Sequence, residues 1–344
     1  MKHKCDVLII GQGIAGSCLA YCLLQQGLTV QIIASPSKPN ASKIAGGLMQ
    51  RVSGQYLSLP QLVQDHFDEA VSFYKSLNML FNAPIITKHP TYRILDDAQH
   101  KIWEKKRKLE RYQGYLGQSL TPITINGTNH TGVDIYDTYS VNPSLFLTSL
   151  ADYFHEHTML HNGLVTEADL HIKQDSVHIH DFQADYVIFC VGSSLIHWSL
   201  FQDFPIINSK GDILTLAIDH HENRIIQHDK WLIPLQKHLF KFGSTYAIDP
   251  SIMPTQLGYE DLLSSLTFLG YKSCRCLMIE SGHRCTFTDY QPSMGFLANN
   301  PRIGVFSGFS SKGFITAPSL AKQWSITFPD FSHHSLAIHR FFNH

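Results

Sequence analysis

The first residues with recognisable chemistry are three glycines close to the amino terminus. Gly11, Gly13 and Gly16 have the spacing G-x-G-x-x-G and follow an apolar run, CDVLII, at residues 5–10. In a strand–turn–helix unit the first glycine permits a tight turn, the second lets the backbone approach a pyrophosphate, and the third lets helix and strand pack closely. The helix that follows offers its N-terminal N–H groups to phosphate oxygens. The pattern therefore predicts a dinucleotide site rather than a purely structural turn.

The end of the predicted second strand departs from this pattern. After TVQII at residues 29–33 the chain has Ala34 and Ser35, where a carboxylate normally accepts hydrogen bonds from the adenosine ribose. Ala34 has no polar side chain, and the hydroxyls of Ser35 or Ser37 are weaker acceptors than a carboxylate. The glycines alone do not distinguish NAD from FAD.

Composition limits the classes of partner. The chain has 344 residues, 44% hydrophobic and 16% charged, with a net charge of -1, which is typical of a globular protein of about two domains. Because binding to the phosphate backbone of a nucleic acid needs clustered Lys and Arg, no nucleic-acid partner is expected. The basic run at residues 101–111 is predicted to be the solvated face of a helix.

Location and metal content are also predicted from the residues. No apolar stretch is long enough to span a membrane, and the amino terminus runs directly into a strand, so we expect a cytoplasmic protein without a signal peptide. The seven cysteines form no secreted-type framework. Cys274, Cys276, His283 and Cys285 are close in sequence, but their alternation favours a strand, and no metal site is predicted.

Hydrophobic periodicity and turn residues indicate two domains, the first of them discontinuous. Helices are predicted over about 60–80 and 98–113, and a third begins at Asn142 and Pro143, a cap followed by proline at the first helical position. From about 206 the pattern changes to longer strands and one helix, typical of an antiparallel sheet. The predicted cofactor domain comprises 1–75, 140–205 and 280–344, and the predicted substrate domain comprises 76–139 and 206–279.

Several further segments resemble one family. NASKIAGGLMQRVSG at residues 40–54 is similar to the segment after the second strand in the D-amino-acid oxidase (DAO) family of FAD-dependent oxidoreductases, which includes glycine and sarcosine oxidases. Near the carboxyl terminus, the family pattern R-x4-D-x2-P-x2-G matches at Arg284, Asp289, Pro292 and Gly295. The segment VFSGFSSKGFITAPSLA that follows also resembles the family. Two further segments resemble segments of the family and occur in the same order along the chain: VIFCVGSS at 187–194 and GSTYAIDP at 243–250. The resemblance implies an α/β fold with a discontinuous Rossmann-type FAD domain and a second, antiparallel-sheet domain.

The resemblance also implies a set of residues that bind FAD. Small residues at 45–47 would let the chain pass close to the flavin, and the helix after Gly313 would direct its N-terminus toward the flavin's pyrimidine end. The implied FAD-binding residues are Gly11, Gly13, Ile14, Ala15, Gly16, Ala34, Ser35, Ser42, Ala45, Gly46, Gly47, Leu48, Val165, Val191, Gly192, Gly308, Ser311, Lys312, Gly313 and Phe314.

Three residues are the predicted catalytic positions. Arg284 stands where the family binds the substrate carboxylate, a role suited to a planar and permanently charged guanidinium. Trp231, in WLIP, stands where the family usually has tyrosine, and an indole donates one hydrogen bond but accepts none. Lys312 would add positive charge near the flavin. The expected reaction oxidises a C–N bond of a small amine or amino acid by hydride transfer to flavin N5, with oxygen as acceptor.

Other functions remain open at this stage. One is a flavin-dependent step on a modified tRNA base, another a flavoprotein-like binding module without catalysis, and a nicotinamide dehydrogenase fits less well. Four departures from the family pattern keep the second alternative open: Ala34, Trp231, and Cys285 and Arg51 at positions where proline is common. The substrate and the oligomeric state are not predicted.

Overall fold

The computed structural model describes residues 3–36, 40–219, 222–271, 274–330 and 334–341. Ser37 therefore lies outside the described residues. The strands are β1 (His3–Ile10), β2 (Val30–Ala34), β3 (Leu48–Met49), β4 (Ile86–Lys88), β5 (Thr91–Ile94), β6 (Thr121–Ile125), β7 (Thr128–Ile135), β8 (Tyr139–Val141), β9 (Leu160–Asn162), β10 (Leu170–Ile172), β11 (Val177–Ile179), β12 (Phe182–Phe189), β13 (Ile206–Ala217), β14 (Ile225–Gln227), β15 (Trp231–Gln236), β16 (Leu239–Gly243), β17 (Arg275–Phe287), β18 (Ser293–Leu297) and β19 (Asn300–Ser307). The helices are α1 (Ile14–Gln25), α2 (Ala41–Ile44), α3 (Gln61–Phe81), α4 (Asp97–Lys106), α5 (Pro143–Glu156), α6 (Gln256–Phe268) and α7 (Gly313–Thr327). In the described part of the chain, strands and helices alternate at the amino-terminal end, whereas the strands from β9 to β16 follow one another without an α-helix between them.

The chain divides into two compact units. Unit 1 comprises Met1–Lys43, Ser144–Ser209 and His283–His344, and unit 2 comprises Ile44–Pro143 and Lys210–Gly282. Residues 44–75 belong to unit 2. The reason is that 44–57 packs on the unit 2 sheet, as described below. No helix among the residues described in either unit is long and apolar enough to cross a membrane.

Unit 1 is built on a parallel sheet. Five parallel strands have the order β9-β2-β1-β12-β19, and antiparallel strands β10, β11 and β18 extend the sheet. Numbered along the chain, the parallel strands therefore follow the order 3-2-1-4-5, the Rossmann arrangement, in which ligands bind beyond the carboxyl ends near the first strand. Helices α1 and α7 pack against each other, and α1 has buried residues on all sides because the glycine turn brings it close to the sheet.

Unit 2 contains an eight-stranded sheet with the order β17-β13-β16-β15-β14-β5-β7-β6. One face packs against α6, and its core includes Leu214, Leu232, Phe242 and Leu262. A second, three-stranded sheet has the order β3-β8-β4. The helix predicted over about 60–80 is α3, which buries Phe67, Val71, Tyr74 and Leu77.

The opposite face of the large unit 2 sheet is covered by residues 44–57, which we call the crossing segment. It begins at β16, where Lys241 bonds to the backbone of Ile44, and continues over β15 and β14. It ends near β7, where Val52 and Leu57 pack with Val133 in a buried cluster. Because the segment touches successive strands, the sheet holds it along most of its length.

One predicted helix differs from the structure. The helix predicted over 98–113 ends at Lys106 and is followed by a short 3-10 turn at Glu110–Tyr112. The reason is that Tyr112 turns into the cluster around Val133, and its hydroxyl donates to Leu57 O at 3.0 Å. The helices at about 60–80 and after Asn142 are confirmed.

Across the ranges that the structure describes, no group of three or more His, Cys, Asp or Glu residues is placed to hold a metal.

Candidate active site

The glycine turn of unit 1 has no room for side chains at two of its three glycines. Gly11 has a φ of 106°, in the region that favours glycine, and a Cβ there would lie 2.6 Å from Cys190 O. A Cβ on Gly16 would overlap the carbonyl oxygen of Gly11. These glycines are therefore needed for the path of the chain between β1 and α1, which explains their spacing.

Gly13 has a different environment. A Cβ there would lie 3.2 Å from Ser42 Oγ, so the fold itself tolerates one, but it would fill the space in front of the α1 N-terminus. The Ile14 N–H donates to Ser42 Oγ at 3.1 Å, and Asn40 Oδ1 accepts from the Ser42 N–H at 3.0 Å. The N-terminus of α1 thus already receives an oxygen ligand, the kind of group that a phosphate supplies. We call this site at Gly11, Gly13 and Ser42 the phosphate cradle, and its oxygen-binding N–H groups fit a pyrophosphate.

The other residues predicted to bind cofactor in unit 1 follow the carboxyl ends of the parallel strands. Because these ends share one edge of the sheet, residues distant in sequence lie along a common border with the glycine turn. The residues at this edge are Ala34 at the end of β2, Ser35 after it, Val165 after β9, Val191 and Gly192 after β12, and Gly308 after β19. Gly192 and Gly308 both have positive φ, 55° and 81°.

The N-terminus of α7 lies beside that of α1. A Cβ on Gly313 would be 3.4 Å from Ile14 Cγ2, and Phe314 is buried. Two helix N-termini therefore point to the same edge of the sheet, and both favour negative charge. Burial lowers the pKa of the Lys312 amine, which makes no ion pair with any residue that the structure describes. Ser311 precedes it in the 3-10 turn at Ser310–Lys312.

Unit 2 holds the second group of predicted residues, Ala45 to Leu48, within the crossing segment. Lys241 Nζ donates to Ile44 O at 2.6 Å and to Ala45 O at 3.1 Å. A Cβ on Gly46 would lie 2.5 Å from Trp231 Cη2, so the indole packs directly on this glycine. Gly47 has a φ of 66° and lies against the backbone of Val141. The structure thus brings together Gly46 and Trp231, which were predicted separately.

Lys241 and Gln227 were missed by the sequence analysis. Lys241 is buried, and its pKa is lowered by burial, an effect that Glu280 partly opposes. Gln227 Nε2 donates to Gln50 Oε1 at 2.6 Å, with both amides buried. Both residues hold the crossing segment on the sheet. In the sequence, each is a polar residue at an inward-facing position of an apolar strand. This pattern does not indicate which segment the polar side chain contacts.

Arg284 lies on β17 in unit 1 and is half-buried, whereas Trp231 begins β15 in unit 2 and is also half-buried. Each is placed within its own unit, and the role of each in substrate binding remains a prediction. The described residues therefore form two groups, the phosphate cradle of unit 1 and the crossing segment of unit 2.

Two residues that depart from the family pattern, Arg51 and Cys285, contact neighbouring side chains. The Arg51 guanidinium pairs with Asp68 and Asp137 and stacks on Phe67, with its carbon 4.3 Å from the ring centroid. Burial opposes the charge, but the hydrogen bonds to the two carboxylates raise the pKa of Arg51. Cys285 is buried, and Ser307 Oγ donates to its sulfur at 3.5 Å. Both residues fill packed positions.

The fold and the cradle define a Rossmann-type dinucleotide-binding protein, and comparison with known proteins identifies the family. The profile of the DAO family, described as FAD dependent oxidoreductase, matches residues 6–324. The chain therefore belongs to this family, and the predicted family, fold class and FAD cofactor are confirmed. The protein is an FAD-dependent oxidoreductase of the DAO family.

Individual relatives are more distant. The chain is 23% identical over 347 residues to the tRNA 5-methylaminomethyl-2-thiouridine biosynthesis bifunctional protein MnmC of Marinobacter nauticus, covering 92% of this chain and 54% of the relative. It thus spans about half the length of that curated relative.

Solved structures show the same fold at low identity. Iminodiacetate oxidase from Chelativorans sp. BNC1 has a TM-score of 0.77 at 14% identity and covers 96% of this chain and 99% of its own. Glycine oxidase from Geobacillus kaustophilus has a TM-score of 0.77 at 14% identity and covers 96% of each chain. L-alpha-glycerophosphate oxidase from Mycoplasma pneumoniae, solved with FAD bound, has a TM-score of 0.70 at 16% identity, with 95% coverage of each chain.

Proposed function

We propose that this protein oxidises a C–N bond of a small amine or amino acid, with oxygen as the electron acceptor. The observation that carries the proposal is the phosphate cradle at Gly11, Gly13 and Ser42 in a chain of the DAO family. The relatives named glycine oxidase and iminodiacetate oxidase share the fold and support an amine substrate. The predicted cytoplasmic location belongs to the same proposal.

The chain's own residues have distinct roles in this proposal. Gly13 and the first N–H groups of α1 would hold the pyrophosphate of FAD. The small residues of the crossing segment, whose start Lys241 fixes, would line the flavin, as the family resemblance implies. Arg284 binds the substrate carboxylate through two parallel N–H bonds and so orients the Cα–H. Trp231 contributes one N–H donor and an apolar surface. When bound, FAD would supply the acceptor for the hydride, which carries both electrons.

The charge of Lys312 affects the same reaction. Its amine is desolvated at the N-terminus of α7, and its pKa is lowered. When protonated, it stabilises negative charge at this edge of the sheet together with the two helix N-termini. We propose that the protonated amine of Lys312 acts by electrostatic stabilisation.

The first experiment is to purify the protein without added cofactor, record the visible spectrum, and identify anything released on denaturation. Near-stoichiometric FAD supports the cofactor site, and a protein that stays colourless after incubation with FAD would favour a binding module without catalysis. Substrates are then screened by peroxide release with glycine, sarcosine and D-amino acids.

Arg284→Ala tests the carboxylate site. We expect KM for a carboxylate substrate to rise by about 10² or more, and Arg284→Lys to recover part of the loss. Arg302→Ala is the matched control, because Arg302 lies on β19 and donates to the backbone oxygens of Gln174 and Asp185. Equal KM values for the Arg284→Ala variant and the wild type would exclude the assignment.

A second candidate function is a step on a modified tRNA base. The similarity to the bifunctional tRNA biosynthesis protein over 92% of this chain supports it. Incubating the holoenzyme with hypomodified tRNA and analysing its nucleosides by mass spectrometry separates the two proposals. A changed nucleoside without peroxide release from small amines would favour the tRNA reaction.

A further inference from the structure

A polar residue lies next to the position of the missing carboxylate. Strands β2 and β9 are parallel neighbours, and Ala34 at the end of β2 is in register with Asn162 at the end of β9. The Gly163 N–H donates to Ala34 O at 3.0 Å, which ties the two strand ends together. Residues in register on neighbouring strands point to the same face of a sheet. The Asn162 amide is therefore the nearest polar side chain in the adjacent strand at this edge.

The sheet order indicates which part of a dinucleotide reaches Asn162. The pyrophosphate site is at the α1 N-terminus, directly after β1, and the order from there is β1, β2, β9. A cofactor that extends outward from the glycine turn therefore presents its adenosine half to the ends of β2 and then β9. Asn162 lies about one strand spacing, ~4.8 Å, beyond Ala34.

The Asn162 side chain is available for a ligand. The residue is exposed, and its amide makes no hydrogen bond to any described residue. An amide offers an acceptor and two donors, so it pairs with ribose hydroxyls, which donate and accept, or with the edge of adenine. The next large residue, Leu164, is 52% exposed and adds apolar surface beside it.

We propose that Asn162 binds the adenosine end of FAD and takes the place of the carboxylate that is absent at residue 34. The inference rests on FAD binding at the glycine turn and adds a residue that determines cofactor specificity. Because FMN lacks the adenosine, Asn162 contributes to the affinity for FAD and not to that for FMN. A neutral amide in this position also implies weaker FAD binding than a carboxylate provides.

The test uses the full chain, stripped of flavin and titrated with FAD and with FMN while fluorescence is recorded. For Asn162→Ala we expect the FAD Kd to rise about ten-fold and the FMN Kd to stay unchanged. Asn162→Asp should bind FAD at least as tightly as the wild type. Adding Ala34→Glu to Asn162→Ala should recover FAD affinity, because it restores the carboxylate.

Asn299→Ala is the matched control, because this exposed asparagine precedes β19 and so lies at the amino-terminal edge of the same parallel strands. Its FAD Kd should equal that of the wild type. An unchanged FAD Kd in Asn162→Ala overturns the proposal while the FAD site stands, and so does an equal loss of FAD and FMN binding. A wild-type chain that binds neither flavin overturns the cofactor site as well.

Discussion

The indole of Trp231 lies directly on Gly46, where an added Cβ would be 2.5 Å from Cη2 and 2.8 Å from Cζ2. The two residues are far apart in sequence, but both belong to unit 2, and their contact places the crossing segment on β15. The residue at position 231 and the glycine at position 46 are therefore structurally coupled. A tyrosine in place of Trp231 would have a smaller ring over the same glycine.

Gly46→Ala should destabilise unit 2 because the indole must move to accommodate a methyl group. We expect a loss of about 1–3 kcal/mol in the free energy of unfolding, the usual range for overpacking. In a Trp231→Leu background the same substitution should have a smaller effect, and urea unfolding of the four variants measures the coupling. Additive effects would show that the contact contributes no energy.

Gly13→Ala and Gly16→Ala should separate cofactor binding from folding. At residue 13 the methyl group fits the fold but occupies the cradle, so FAD affinity should fall at least about ten-fold with little change in apoprotein stability. At residue 16 it overlaps Gly11 O, so stability itself should fall. Flavin titration and thermal unfolding measure the two effects, and equal FAD affinity in Gly13→Ala and wild type would contradict the phosphate site.

Lys241→Met should loosen the start of the crossing segment. The variant leaves two carbonyl oxygens, those of Ile44 and Ala45, without this donor, and we expect a loss of about 1–3 kcal/mol in stability. Amide hydrogen exchange should increase at residues 44–48 and stay constant in α1. Lys237→Met, at an exposed lysine before β16, is the control. Protection that stays at the wild-type level in residues 44–48 would mean that other contacts hold the segment.

Arg51→Met should reduce stability more than a comparable change at the surface. Arg51 is buried and bonded to Asp68 and Asp137, so we expect a loss of about 1–3 kcal/mol. Arg107→Met is the comparison, because Arg107 pairs with Glu104 on partly exposed α4, and its removal should cost under about 1 kcal/mol. Equal losses in urea unfolding would mean that burial of the Arg51 network is unimportant.

Alkaline pH should weaken the fold through Cys5. Burial first, and then the charges of Asp6 and Asp185, raise the pKa of this thiol from 9.0 to about 12. The unfolded chain then releases the proton at lower pH than the folded one, so stability present below pH 9 is lost as pH rises toward 12. The slope for one such group reaches about 1.4 kcal/mol per pH unit.

The measurement compares unfolding of the wild type and Cys5→Ala under reducing conditions from about pH 8.5 to about pH 11. The wild type should lose more stability over this range, and Asp185→Asn should show an intermediate loss because it removes one of the raising charges. Parallel profiles of wild type and Cys5→Ala would show that the thiol titrates normally in the fold.

Local signals were enough to predict several elements of both units. The glycine spacing predicted the β1–α1 turn because each glycine responds to contacts within a few residues or at the adjacent strand, and the proline after Asn142 marked the start of α5. Apolar spacing predicted α3 correctly, since one face of the helix is buried. The FAD cofactor was predicted from the resemblance to the DAO family.

Contacts between distant residues depended on the tertiary structure. Lys241 and Ile44 are 197 positions apart, and no periodicity or turn residue in either segment indicates that they meet. The same is true of Gln227 with Gln50 and of Asn162 beside Ala34. A local pattern reports which face of an element is apolar, whereas the partner of a buried polar group is set by strand order and register. The sequence by itself determined the glycine turn and the family, and only the tertiary structure decided what holds the crossing segment and what stands beside Ala34.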